Sequence, residues 1–100
     1  IMKKFYCKIL PDEFIATNIG ETVPLMEEHD IYGPKLGNVT IVSENYAIIE
    51  SDDLSIGSKL SAGCFVSRKI EHYVREVSLV ANPRFNDCQV IRVYNEEEEI

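Results

Sequence analysis

Apolar and polar positions alternate in short runs along this 100-residue chain, and Gly, Pro, Asn, Asp and Ser separate the runs. That is the pattern of strands joined by turns. Phe5, Cys7 and Ile9 alternate with Lys4, Tyr6 and Lys8, which predicts a first strand with one solvated side, stopped by Pro11. Residues 12–20 read either as one or two helical turns, with acids in the first turn and Gly20 beyond the end, or as an irregular loop. Residues 38–42 and 46–49 flank Ser43-Glu44-Asn45 and predict a β-hairpin, because about three residues suffice to reverse two antiparallel strands. Residues 61–66 and 70–74 flank Ser67-Arg68-Lys69 and predict a second one. Residues 75–80 either prolong its return strand or form another after a bulge, and 88–94 is the final strand.

No window of roughly 11 to 18 residues keeps a helical period. The expected fold is therefore mainly β: a small antiparallel or mixed β-barrel-like domain with at most one or two short helices. A chain of this length buries only a little over about 60% of the surface its extended form exposes, enough for one core. Residues 2–94 are read as that single domain and 95–100 as an acidic tail.

Charge narrows the partners. Lys plus Arg total 10 against 17 for Asp plus Glu, and four of the acids are Glu96 to Glu99, so the net −7 falls to −3 without them. No basic stripe is present to neutralise phosphates, so no nucleic acid partner is expected. The start, 2–10, has no uninterrupted apolar run, and no segment is long enough to span a bilayer, so no membrane partner is expected. Cys7, Cys64 and Cys88 each sit in an apolar run and form no CxxC pair, and both histidines are far from them in sequence. Buried free thiols in a reducing compartment are predicted, with no metal and no cofactor.

The search for chemistry is short, since there are two histidines. His29 sits beside Asp30 at the edge of a loop and suits a general base near neutral pH. His72 lies within a strand pattern and reads as structural. Ser61 precedes Ala62 and Gly63, small residues that let a substrate approach the backbone and that would leave amides near Gly63 for an oxyanion. Glu76 shares a strand face with Val74, Ser78 and Val80, where a carboxylate needs a partner. Holding a histidine is one use for it, and an ion pair with Arg68, Arg75 or Arg92 is the other.

Four pieces of the chain, in order over residues 23–93, resemble the tailed-phage prohead maturation protease family, whose fold is related to the herpesvirus assemblin-type serine protease. They are the run Val23-Pro24-Leu25-Met26 leading to His29-Asp30 and then Leu36-Gly37-Asn38-Val39; a nucleophile strand, either Ser61-Ala62-Gly63-Cys64-Phe65 or Leu54-Ser55-Ile56-Gly57-Ser58; the segment Arg75-Glu76-Val77-Ser78-Leu79-Val80 with Pro83; and the closing Asp87-Cys88-Gln89-Val90. The resemblance implies His29 as base, Ser61 or Ser55 as nucleophile and Glu76 as the acid that orients His29. Ser55 lies in the closer match by letter, but Ser61 leads directly into a hairpin and is preferred.

The implied function is a serine endopeptidase acting on phage capsid or scaffold proteins during head maturation, in the host cytoplasm or the prohead. Two alternatives stand beside it. One is a non-catalytic phage structural or assembly protein that binds through strand edges to a capsid partner or to its own copies as a homo-oligomer; the other is a small regulatory protein-binding module.

Overall fold

A computed structural model describes residues 3–52 and 54–95; the expected tail beyond Asn95 lies outside the described residues. The described residues form eight strands: β1 (Lys3–Lys8), β2 (Ile15–Ala16), β3 (Thr22–Glu27), β4 (Gly37–Ile41), β5 (Tyr46–Ser51), β6 (Leu60–Val66), β7 (Glu71–Leu79) and β8 (Val90–Val93). No helix occurs among the described residues, and 12–20 forms turns around the two-residue β2. The mainly β, barrel-like reading therefore holds.

The first hairpin is β4–β5, paired from Gly37↔Ser51 to Ile41↔Ala47. β1 lies antiparallel to β5, and β8 antiparallel to β1. β3 joins the other side of β4 and then runs parallel to β7 at Leu25↔Val77, Met26↔Ser78 and Glu27↔Leu79, which makes the sheet mixed. The second hairpin is β6–β7. β7 runs unbroken through the segment whose continuation the pattern left open, and a register shift between Gly63 and Cys64 absorbs the extra residue. Pro24 is tolerated inside β3 because it falls where β3 pairs only with β4; pairing to β7 begins at Leu25.

Only a narrow contact closes the ring. Lys59 bridges Gln89, the Leu60 N–H donates to the Cys88 carbonyl, and the Val90 N–H donates to the Ser58 carbonyl. Beyond Leu60 no strand continues along this flank of β6 among the described residues, which leaves an open seam from Ala62 onward. Alternate residues point inward: Phe5, Cys7, Leu25, Val39, Ile49 and Val77 are buried in one cluster. Each such aliphatic or aromatic side chain contributes about 1.5–3 kcal/mol on burial.

One polar device supports β7. Asn18, almost wholly buried, donates its amide N–H to the Val74 carbonyl at 2.8 Å and accepts the Val74 N–H at 3.0 Å. It takes the place of a neighbouring strand where β7 leaves β2, so no buried backbone group of Val74 goes without a partner.

Candidate active site

Three groups far apart along the chain meet on the outer face of the β6–β7 hairpin. In its register Ser61 lies opposite Ser78 and Gly63 opposite Glu76, so Ser61 and Glu76 stand on adjacent strands two positions out of step. His29 arrives from the turn after β3, which the parallel pairing with β7 carries to this face. His29 Nε2 is 3.0 Å from Ser61 Oγ, and His29 Nδ1 is 2.7 Å from Glu76 Oε2. Both distances fall within the reach of about 2.6–3.2 Å needed for proton transfer.

The arrangement dictates the tautomer. An ionised carboxylate only accepts, so Nδ1 carries the proton and donates it to Glu76. Nε2 of the neutral ring is then left with its lone pair facing Ser61, whose O–H donates to it. This is the division of roles that a nucleophilic hydroxyl, a general base and an orienting acid require. The side chain of Glu76 is only 9% exposed against 43% for His29, so the acid is held inside while the ring is open to solvent.

Ser78 completes the set, and the sequence reading had assigned it no role. It is fully buried, donates to Glu76 Oε1 at 2.6 Å and accepts the His29 backbone N–H at 2.9 Å. One hydroxyl thus fixes the orientation of the acid and the backbone position of the base. The available signal was the period-two pattern that puts Ser78 on the face of Glu76. Glu76 spends its two oxygens on His29 and Ser78, so the arginine ion pair weighed as its alternative use is not what satisfies it. Arg75 instead lies over the Phe65 ring, 4.4 Å from its centroid.

Delivering His29 requires unusual backbone. Glu28 and His29 both have positive φ, 49° and 59°, a conformation costing roughly 1–2 kcal/mol per non-glycine residue. Three bonds offset it: the Glu28 N–H donates to the Leu79 carbonyl, the His29 N–H donates to Ser78, and Glu28 Oε2 accepts the Ala81 N–H at 2.7 Å. Strain held by such a frame is typical of functional turns.

Gly63 has a task other than the expected supply of amides to an oxyanion. A β-carbon there would overlap the Glu76 carboxylate, with Cδ at 2.8 Å, so the missing side chain is the space that the acid occupies. Its own N–H belongs to the ladder. The Val80 N–H to Lys59 carbonyl bond sets the antiparallel alternation, which turns the amides of Ser61 and Gly63 toward β7 and those of Leu60 and Ala62 toward the seam. The backbone donor facing open space beside Ser61 is therefore Ala62.

Ser55, the other candidate nucleophile, is not brought to the imidazole. It lies in the exposed loop before β6, where its N–H donates to Ser58 Oγ and its hydroxyl is 3.2 Å from the same oxygen. The loop turns through Gly57 at a φ of 88°, which directs its hydroxyls to each other. His72 packs its ring on Phe14, 4.3 Å between centroids, and stands apart from the triad.

The thiols do not compete with the hydroxyl. Burial, assisted by the negative charge of Glu76, pushes Cys64 up to about 11, and burial pushes Cys7 and Cys88 up to about 12. All three are free and protonated at neutral pH. Among the described residues no three His, Cys, Asp or Glu side chains gather in a way that could hold a metal ion.

Two hollows flank the site. One of about 290 Å³ follows the open seam and has Ser61 and Ala62 in its wall. Another of about 210 Å³ lies between Pro24, Met26, Ile31, Arg75 and Glu76. No family model matches the chain, and no curated protein or solved structure matches it either.

Proposed function

We propose that this chain is a serine hydrolase of the endopeptidase type, acting on capsid or scaffold proteins during phage head maturation. The observation that carries the chemistry is the continuous path from Ser61 Oγ through the His29 ring to Glu76, with contacts of 3.0 and 2.7 Å. The choice of substrate follows from the resemblance of residues 23–93 to prohead maturation proteases.

Ser61 Oγ attacks the scissile carbonyl while its proton passes to His29 Nε2, and Glu76 steadies the resulting imidazolium through Nδ1–H. The Ala62 N–H is placed to donate to the oxyanion. The imidazolium then protonates the leaving amine, and water repeats the sequence to release the acyl group from Ser61.

The test is intact-mass analysis after incubation with a fluorophosphonate. The expected result is one covalent adduct, mapped to Ser61, lost in Ser61→Ala and His29→Ala and kept in Ser55→Ala. An adduct surviving Ser61→Ala, or none on the folded wild-type protein, would remove the reading.

A second reading, a non-catalytic assembly protein, has one observation in its favour. At the far end of the β6–β7 hairpin Phe65, Val66, Ile70 and Tyr73 are 59%, 60%, 49% and 42% exposed, with Phe65 and Tyr73 directly paired across the strands. Exposed apolar side chains gathered at one end of the fold suit a partner or another copy. That role predicts particle association unaffected by His29→Ala, whereas a protein that stays monomeric and ignores capsid and scaffold components contradicts it.

A further inference from the structure

We infer that the seam hollow is a specificity pocket for a substrate side chain with an apolar stem and an acidic end, glutamate above all. The inference rests on the hydrolase reading for the identity of the occupant as a substrate residue, and on the pocket alone for the chemistry of that occupant.

Position comes first. The hollow opens where β6 loses its neighbour, and Ser61 and Ala62 are part of its wall. A peptide whose carbonyl sits at Ser61 Oγ crosses the β6 edge here, so a side chain next to the scissile bond is directed into the space. At about 290 Å³ the hollow falls at the bottom of the range of small-molecule sites, which suits one side chain better than a cofactor.

Lining chemistry selects the occupant. Ile9, Leu60, Phe14 and Phe85 provide an apolar interior, with Phe14 and Phe85 edge to face at 5.7 Å. Lys69, His72 and Arg84 are the ionisable side chains of the lining besides two thiols, and the lining contains no Asp or Glu. In a chain with 17 acids and 10 bases this segregation makes the hollow a cationic spot on an acidic protein. Among the described residues neither Lys69 nor Arg84 has a carboxylate partner. Both are exposed, so their charges await an anion from outside. A stem in the apolar interior with a carboxylate reaching Lys69 and Arg84 satisfies both halves of the lining.

The experiment uses the Ser61→Ala protein, so that binding is read without turnover, and fluorescein-labelled Gly-Ala-Xaa-Ala-Gly peptides in which Xaa is Glu, Gln, Leu or Lys. Anisotropy should show the Glu peptide binding at least about fivefold tighter than the Gln peptide, with the preference shrinking as salt rises. Lys69→Glu with Arg84→Glu, both on the surface and checked for fold by circular dichroism, should transfer the preference to the Lys peptide. Equal binding of Glu and Gln, a Glu preference that survives the double reversal, or no binding of any peptide overturns the inference. Glu preference in a protein whose wild-type form takes no fluorophosphonate removes the hydrolase reading and leaves the acid-selective pocket standing.

Discussion

The Glu76 carboxylate lies across Gly63, occupying the volume that a β-carbon would fill. The two residues are cross-strand partners, so the overlap cannot be relieved by a loop movement. Gly63→Ala is expected to preserve the barrel, displace the acid from His29, and slow fluorophosphonate labelling of Ser61 by about 100-fold, the usual penalty for misplacing a reacting group by about 1 Å. Wild-type labelling with a normal circular dichroism spectrum would show that the acid need not sit there.

Ser78→Ala tests the hydroxyl that joins the acid to the backbone of the base. It leaves the His29 N–H and one Glu76 oxygen without their partner in a buried place. The expected loss is about 1–3 kcal/mol in urea unfolding. Labelling of Ser61 should also fall roughly tenfold, since the Glu76 carboxylate and the His29 backbone each lose a bond that positions them. Lost stability with labelling unchanged would give Ser78 a structural role only.

Cys64 reports on the charge of Glu76. Burial is the main cause of its raised thiol value of about 11, and Glu76 adds to it. Iodoacetamide near pH 8 should therefore leave Cys64 largely unmodified. Glu76→Gln removes the negative charge, lowers the thiol value and should raise the alkylation rate. Cys7, whose shift comes from burial alone, is the internal control. Parallel increases at both cysteines, followed by mass spectrometry, would indicate general loosening instead.

Lys8 ties the end of β1 to Asp12 at 2.8 Å and to Asp87 at 2.9 Å. Its hydrogen bonds to these two acids hold the ammonium above its ordinary value, and the bond from Lys8 holds Asp87 below 3.8. A depressed carboxylate contributes stability above its unfolded value and loses it as pH falls through the folded one. A raised ammonium contributes below its unfolded value and loses it as pH rises through the folded one. The tie is thus intact at neutral pH. The stability gap between wild type and Lys8→Met should be largest near about pH 7 and shrink toward about pH 2 in urea titrations. A gap that stays constant would mean that Lys8 acts through its alkyl stem.

Both hairpins were legible from alternation interrupted by short polar turns, because period two and turn chemistry are local properties. His29, Ser61 and Glu76 were likewise legible as residue types in need of partners. The parallel contact of β3 with β7 was not, since nothing in Val23 to Glu27 names a partner about 50 residues away, and this contact is what carries His29 to Glu76. Ser61 was preferred over Ser55 only because it leads into a hairpin: each stands near glycine and small residues, and it is the register of β6 on β7 that shows which hydroxyl meets the ring. The role of Gly63 was misread because a glycine beside a serine suggests exposed amides, whereas the carboxylate that needs its space comes from the opposite strand. The option of helical turns at 12–20 gave way to pairing of Ile15 and Ala16 with Glu71 and His72.

Ser61 and Glu76 are carried by the two strands of one hairpin, two positions out of step, so the register of the ladder sets their separation before any loop is considered. Two of the three groups are thus fixed by the ribbon itself, and the third hangs on the turn at Glu28 and His29, so a change in that short stretch can part the imidazole from the other two while leaving the sheet intact.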